Sequence, residues 1–226
     1  MKNVLITGAS RGIGFELAQL FAKNKYNVLA ISRNIKPLKD LKYVNLNFIS
    51  VDISEEKEIQ RITSYVKEEL KHVDILINNA GKLVHKPFQE LTSSYFLEVY
   101  KVNVFGVAEL IRQLLPYFSK KSHVVNISSI GGVQGSVKFP GLAAYSSSKG
   151  ALLTLTELLA EEYKDQKIAF NALALGAVQT EMLAEAFPGY KAPVSAQEMA
   201  AYIYNFALTG NKFYNGKILQ VSSTTP

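Results

Sequence analysis

The chain has 226 residues, of which 48% are hydrophobic and 19% are charged, as in an ordinary globular protein. Its length suits one α/β domain, and its hydrophobic content excludes a disordered or fibrous chain. The sequence contains no cysteine, which excludes disulfides, thiolate nucleophiles and cysteine metal sites. The net charge of +6 could attract a polyanion. Because lysines are interspersed with glutamates, we expect a small anionic ligand rather than nucleic acid.

The first apolar run is short, because Val4, Leu5 and Ile6 are followed at once by Thr7 and Gly8. This break comes too early for a signal peptide. No later run approaches the roughly 18 apolar residues that cross a bilayer. We therefore expect a cytoplasmic protein with no membrane partner. The three histidines lack the spacing of metal ligands, so no metal is expected.

Short apolar segments alternate with amphipathic segments along the chain. Segments rich in Val, Ile and Leu predict strands at 4–7, 27–32, 46–51, 73–77, 123–128, 168–173 and 217–221. Apolar residues at three- and four-residue spacing predict helices at 13–23, 55–70, 93–118, 143–163 and 196–208. The alternation predicts a single doubly wound α/β domain over residues 1–226, with helices on both faces of a mainly parallel seven-stranded sheet.

The first predicted strand leads into a glycine-rich turn, TGASRGIG, that opens the first helix. Glycines allow a tight turn and let backbone N–H groups approach a phosphate, and the helix N-terminus adds a favourable dipole. Its place at the first strand–helix junction favours a dinucleotide site over a merely geometric turn. The predicted cofactor contacts here are Gly8, Ser10, Arg11, Gly12, Ile13 and Gly14.

The second predicted strand ends at Ser32 and Arg33, where a dinucleotide site faces the adenosine ribose. An acid at this place would accept from the 2′-hydroxyl, whereas Arg33 offers a guanidinium fork suited to a phosphate. Arg11 could reach the same group. The two arginines favour NADP (NADPH) over NAD, although both could be ordinary solvated side chains.

Tyr145 and Lys149 are four residues apart at the start of a predicted helix, so they share one helical face. A free tyrosine has a pKa of about 10 and is a poor base at neutral pH. An ammonium group about 4 Å away, at an effective dielectric near 20, would stabilise the phenolate by up to roughly 4 kcal/mol. The pair predicts a tyrosine whose pKa is lowered for acid–base catalysis. Such a pair also arises by chance on exposed helices.

Taken in order, these residues resemble the compact single-domain branch of the short-chain dehydrogenase/reductase family. The matching elements cover nearly the whole chain: residues 7–14, Asp52, residues 78–81 (NNAG), Asn103, Ser128 with Ser129, Tyr145 with Lys149, and Thr180. The resemblance implies a Rossmann-type fold with strand order 3-2-1-4-5-6-7. It also implies an NADP-dependent oxidoreductase acting on a carbonyl or alcohol carbon of a small molecule, and a homodimer or homotetramer paired through helices 93–118 and 143–163.

The resemblance also implies roles for individual residues. Ser129 should bond the substrate oxygen, Tyr145 should pass it a proton, and Lys149 should hold the nicotinamide ribose. Asn103 should kink its helix and hold a water that links Lys149 to solvent. The other implied cofactor contacts are Asp52 and Ile53 at the adenine, Asn79, Ala80 and Gly81 at the adenosine ribose, and Gly176, Val178 and Thr180 at the nicotinamide carboxamide.

The sequence departs from the family pattern at several places. Ser129, rather than Ser128, precedes the expected glycines, but it lies sixteen positions before Tyr145, which is longer than usual. Leu175 replaces the proline that normally precedes the glycine at 176. The segment between Thr180 and Ser195 is short for a substrate lid. Residues 221–226 lack the family's usual glycine pair, which argues against a tetramer.

Two other functions are alternatives for such a sequence. A non-catalytic NADP-sensing protein could use the same fold, but the complete set of Ser129, Tyr145 and Lys149 argues against it. A sugar-nucleotide epimerase or dehydratase would need a substrate domain after Thr180, where there is no room. The sequence does not name the substrate. A partly apolar pocket is predicted from Val133, Gln134, Phe139, Leu142 and Tyr190.

Overall fold

The computed structural model describes residues 1–222. The strands are β1 (Asn3–Thr7), β2 (Asn27–Ser32), β3 (Leu46–Ser50), β4 (Val73–Asn78), β5 (Phe118–Ser129), β6 (Ala169–Leu175), β7 (Val178–Gln179), β8 (Val194–Ser195) and β9 (Ile218–Val221). The helices are α1 (Gly12–Lys23), α2 (Lys36–Lys39), α3 (Glu56–Tyr65), α4 (Ser93–Tyr100), α5 (Gly106–Leu114), α6 (Ala143–Glu162), α7 (Glu181–Ala186) and α8 (Ala196–Thr209). None of these helices has both the length and the hydrophobicity needed to cross a bilayer.

Seven strands form one sheet in the order β3-β2-β1-β4-β5-β6-β9, and every neighbouring pair is parallel. The predicted doubly wound sheet and its strand order are therefore confirmed, with β9 as the seventh predicted strand. Winding changes direction between β1 and β4. At such a switch point, the carboxyl ends of the two strands open onto a shared crevice.

Helices cover both faces of the sheet, so the central strands are apolar at almost every position. Along β1, Val4 and Ile6 pack toward α1 and α8, while Leu5 packs toward α3 and α5. All three side chains are fully buried. Burial of one such side chain contributes about 1.5–3 kcal/mol, so this strand anchors the turn that follows it.

Some element boundaries differ from the predicted ones. The helix predicted at 93–118 is interrupted by a π-helical turn at Lys101–Phe105 and ends at Leu114. Pro116, which has no N–H to donate, lies in the short turn that follows, and β5 begins at once with Phe118. The helix predicted at 55–70 likewise becomes a π-helical turn after Tyr65. The predicted strands did not include β7 and β8, and the predicted helices did not include α2 and α7, because these elements are too short to show a period.

A buried histidine lies where β5 enters the sheet. His123 is 1% exposed; its Nδ1 bonds the carbonyl of Ala207 at 3.0 Å, and its Nε2 lies 3.0 Å from the Asn171 amide nitrogen. The two contacts together suit a neutral ring that donates from Nδ1 and accepts at Nε2. Burial lowers the pKa of His123 from 6.5 to about 4.

This pKa predicts how stability depends on pH. Between pH 6.5 and 4, His123 is protonated in the unfolded chain but stays neutral in the folded chain. The free energy of unfolding should therefore fall as the pH is lowered from 6.5 to 4. The contribution from this group is roughly 3 kcal/mol. Urea unfolding at several pH values measures it. His123→Gln should flatten the decline, whereas the exposed control His85→Gln should leave it unchanged. An equally steep decline in His123→Gln would contradict the assignment.

Candidate active site

The glycine-rich turn between β1 and α1 is packed against the loop that follows β4. Gly8 has φ +67°, and a Cβ there would lie 2.7 Å from the Cα of Ala80. The side-chain amide of Asn79 donates to the carbonyls of Thr7 and Gly8 at 3.1 and 3.2 Å. The Thr7 hydroxyl accepts from the backbone N–H groups of Asn79 and Ala80. Asn79 and Ala80 thus fix the shape of the turn, and their ribose contacts stay a prediction.

The segment after β6 closes the other side of the turn. Gly12 has φ +52°, and a Cβ there would lie 3.2 Å from Cγ2 of Thr180. Thr180 caps α7 by accepting from the N–H of Leu183 at 3.3 Å. Gly176 donates its N–H to Val221 at 2.8 Å, and Val178 pairs with Val194. The structure therefore brings the residues predicted for the nicotinamide end next to the glycine-rich turn.

The ends of β2 and β3 form the region predicted for the adenosine. The hydroxyl of Ser32 bonds that of Ser10 at 2.9 Å. The Arg33 side chain is 75% exposed and has one distant carboxylate neighbour, Asp52, at 3.8 Å. Asp52 accepts from the N–H and hydroxyl of Ser54 at 2.9 and 2.7 Å. Arg33 is thus free to turn toward an added phosphate, whereas Asp52 is partly occupied.

Arg11 does not join Arg33. Its guanidinium forms a two-point ion pair with Glu185 of α7, and this hydrogen bond raises the pKa of Arg11. The expectation that both arginines reach one phosphate stays a prediction. The structure pairs Arg11 with a carboxylate on α7, a helix that the periodicity of the sequence did not reveal. Arg11 instead bridges the glycine-rich turn to α7.

The predicted catalytic side chains meet at the carboxyl end of β5. Tyr145 and Lys149 lie on the first turns of α6, with Lys149 Nζ 5.8 Å from the centre of the tyrosine ring. The Ser129 side chain lies close enough to the Tyr145 hydroxyl to favour its phenolate form, and it also accepts from the N–H of Gly131 at 3.3 Å. Lys149 is 3% exposed and donates to the carbonyl of Ile127 at 2.7 Å. Ser128 is buried and donates to the carbonyl of Lys149 at 3.0 Å, so it faces away from the tyrosine hydroxyl.

The pKa values of this pair differ from the expectation. Burial raises the pKa of Tyr145 to about 12, although the side chain of Ser129 opposes the rise. Burial lowers the pKa of Lys149 to about 8. The predicted lowering of the tyrosine pKa is absent because the ammonium is bonded to Ile127 and desolvation of the phenolate dominates. At neutral pH Tyr145 therefore holds its proton, the state required of a proton donor.

Asn103 lies at the centre of the π-helical turn and is fully buried. Its side-chain oxygen accepts from the N–H of Lys82 at 2.8 Å, and its amide nitrogen donates to the Lys82 carbonyl and the Ser148 hydroxyl at 2.9 Å each. A Cβ on Gly81 would lie 3.7 Å from both Asn103 Oδ1 and Lys149 Nζ. Gly81 thus leaves space beside the ammonium. The water expected on Asn103 stays a prediction.

His85 joins three loops at this edge of the sheet, a contact that the sequence reasoning missed. Its Nδ1 lies 2.9 Å from the carbonyl oxygen of Ala186, and its ring packs on that of Phe187 with the ring centres 4.7 Å apart. Gly141 has φ +83°, and a Cβ there would lie 2.4 Å from the His85 ring. No local pattern marks the histidine, although a glycine just before a helix hints at close packing. Of the predicted pocket residues, Phe139 is half exposed.

The chain is similar to known proteins in its sequence and in its fold. A family model described as short chain dehydrogenase matches residues 2–191. A fatty acyl-CoA reductase of Acinetobacter baylyi is 30% identical over 217 residues, which cover 92% of this chain and 72% of the relative. A 4-hydroxyisoleucine dehydrogenase complexed with NADH superposes with a TM-score of 0.88 at 26% identity, over 98% of this chain and 97% of that one. ElxO with NADP bound gives a TM-score of 0.86 at 30% identity, with the same coverages of 98% and 97%.

Proposed function

The chain belongs to the short-chain dehydrogenase family, and we propose that it transfers hydride between NADP(H) and a carbonyl or alcohol carbon of a small substrate. One observation carries the proposal: the side chains of Ser129 and Tyr145 lie together beside the buried ammonium of Lys149. These groups lie at the carboxyl edge of a doubly wound sheet, where ligands of such sheets bind.

The residues at this edge fit a nicotinamide dinucleotide. The backbone of the glycine-rich turn suits its pyrophosphate. Arg33, largely exposed and with a carboxylate only at 3.8 Å, suits a 2′-phosphate. Lys149 is buried, and Gly81, which has no side chain, lies beside its ammonium where ribose hydroxyls would approach. The bound dinucleotide supplies or accepts the hydride, and the protein supplies orientation and the proton. The two solved relatives hold NADH and NADP respectively, so the preference for NADP rests on Arg33.

In the reducing direction, Tyr145 donates its phenolic proton to the substrate oxygen while the Ser129 hydroxyl donates a hydrogen bond to that oxygen. With a pKa of about 12, Tyr145 is protonated at any physiological pH. The phenolate left after the transfer is costly in a buried place, and the nearby Lys149 ammonium offsets that cost. Lys149 keeps its charge below its pKa of about 8. Asn103 fixes the Lys82 backbone beside this group.

The test of the proposal is a panel of aldehydes and ketones assayed with NADPH and NADH in parallel, with Tyr145→Phe as the variant. Loss of the phenolic proton should lower kcat about a hundred- to ten-thousandfold and leave nucleotide binding unchanged. Tyr163→Phe, at the far end of the same helix, is the matched control and should keep full activity.

Two results would contradict the proposal. Activity of Tyr145→Phe within a few-fold of the parent would assign the proton to another group. Binding of NADPH without turnover of any compound in the panel would favour the non-catalytic NADP-sensing protein, the alternative on this fold.

The cofactor preference is tested at Arg33. A charge-assisted bond to a phosphate is worth about 1.5–3 kcal/mol, so Arg33→Ala should weaken NADPH binding tenfold or more. Binding of NADH, which lacks the phosphate, should change less than twofold. Titration of each nucleotide by calorimetry measures both values. Arg112→Ala, which removes an exposed arginine paired with Glu109, is the control. Equal effects on both nucleotides would reject the role of Arg33.

We also propose that two copies pair through α4, α5 and α6. α4 packs on α6, and all three helices contact the π-helical turn at Lys101–Phe105. Large apolar side chains remain exposed on α4, this turn and α6: Leu97 (50%), Phe105 (53%) and Leu158 (61%). Burying such side chains against a second copy is favourable. The argument against a tetramer from the chain end concerns residues 223–226, which lie outside the described part of the chain. The cytoplasmic location also stays a prediction.

Light scattering at micromolar concentration tests the pairing. The parent chain should have at least twice the mass of one copy, and Phe105→Glu with Leu158→Glu should convert it to single copies, because two buried carboxylates would face an apolar surface. Tyr202→Glu places the same charge on the exposed side of α8 and should leave the mass unchanged. A monomeric parent chain would exclude the pairing.

A further inference from the structure

A row of lysines runs along the amino edge of the sheet, opposite the candidate active site. Each of the seven strands has at least one lysine shortly before it or, in β5, within its first residues. In the order of the strands across the sheet, the lysine row consists of Lys42, Lys25, Lys2, Lys71, Lys121, Lys167 and Lys212.

Backbone contacts show that these residues share one edge. The carbonyl of Lys2 accepts from the N–H of Asn27 at 3.0 Å, and the N–H of Lys121 donates to Lys167 at 3.1 Å. The side chain of Asn211 donates to the carbonyl of Lys121 at 2.8 Å, which places the turn before β9 beside β5. With neighbouring strands about 4.8 Å apart, the six lysines at β3 to β6 span roughly 24 Å, and Lys212 lies beside β5. Flexible stems let the ammonium groups reach a common plane although the sheet twists.

The charge of the row is not neutralised within the fold. All seven lysines are exposed, and none lies within 4.0 Å of a carboxylate among residues 1–222. Asp74, at the same edge, instead accepts from the backbone of Asn3 and the hydroxyl of Ser119, and contacts His72. A continuous positive surface therefore faces solvent at this end of the molecule.

Four members of the row occupy backbone positions that favour glycine. Lys25, Lys71, Lys121 and Lys167 have φ between 59° and 70°, and they are all of the non-glycine residues with positive φ in the described chain. Glycine or asparagine adopts this conformation at lower energy. Lysines thus occupy four turns whose backbone conformation favours glycine or asparagine.

Two exposed apolar side chains accompany the row. Val44, two residues from Lys42, is fully exposed, and Phe213, next to Lys212, is 77% exposed. Apolar side chains among lysines suit the headgroup region of an anionic bilayer, where each lysine adds attraction and the apolar groups insert. Nucleic acid is instead read by arginine forks and stacked aromatic rings. The row contains no arginine, and valine cannot stack.

We propose that the lysine row docks this protein on an anionic bilayer surface, with Val44 and Phe213 entering the headgroup layer. The inference is independent of the proposed enzymatic activity, because the row lies at the other end of the strands. The sequence pattern does not indicate this surface, and no membrane partner was expected from it, because the seven lysines are spread from residue 2 to residue 212 and only the parallel sheet gathers them.

Co-sedimentation with vesicles tests the proposal. The full chain should bind phosphatidylcholine vesicles that contain about 30 mol% phosphatidylserine, fail to bind pure phosphatidylcholine, and dissociate in high salt. Replacing the four left-handed lysines by glycine (K25G, K71G, K121G, K167G) removes charge and relieves the backbone, so the variant should fold and bind at least tenfold more weakly. The control variant with Lys57→Gln, Lys101→Gln, Lys138→Gln and Lys191→Gln removes the same charge away from the row and should reduce binding less than threefold.

A second variant separates lipid from other polyanions. Val44→Ser with Phe213→Ser should weaken vesicle binding several-fold and leave retention on heparin unchanged. The proposal is overturned if the parent chain does not bind anionic vesicles or if the two four-lysine variants lose vesicle binding equally. It is likewise overturned if an RNA or DNA oligonucleotide binds more tightly than the vesicles at the same salt concentration.

Discussion

The ammonium group of Lys149 is held at the carboxyl end of β5 with almost no contact with solvent, and the carbonyl of Ile127 is its bonded partner. Burying a charge is costly unless it is paired, so its neighbours must serve this one group. Gly81 leaves room beside it, and Asn103 fixes the adjoining backbone. The resulting pKa of about 8 means that Lys149 is still mostly protonated at neutral pH but loses its charge at only slightly higher pH.

Helix α7 connects the two halves of the site. On one side Glu185 pairs with Arg11 of the glycine-rich turn, and on the other the carbonyl of Ala186 contacts His85. Both contacts join segments that are distant in sequence and lie beyond the carboxyl ends of the strands. The short segment between Thr180 and Ser195 is thus held through the last turn of α7. A substitution of Glu185 would therefore disturb both the contact of α7 with Arg11 and the neighbouring contact with His85.

Much of the fold was predictable because it follows from repeating local patterns. The central residues of buried strands such as β1 are apolar, and the order of the glycine-rich turn, Ser129, Tyr145 and Lys149 indicated the family. Features that depend on distant residues were not predictable. The partner of Arg11 lies on an element too short to show a period. The tyrosine pKa was predicted in the wrong direction, because spacing reveals a neighbouring charge but does not reveal how completely both groups are buried.

The π-helical turn at Lys101–Phe105 couples the site to the core through the geometry of the helix. A π turn accommodates one residue more than an α turn, and each residue rotates a helix by about 100°. Losing one residue here would swing Val107 and Leu110, both buried, away from the sheet. The same loss would move Asn103 from the Lys82 backbone. The length of this segment is therefore fixed twice, by the packing of the helix that follows it and by the position of Asn103.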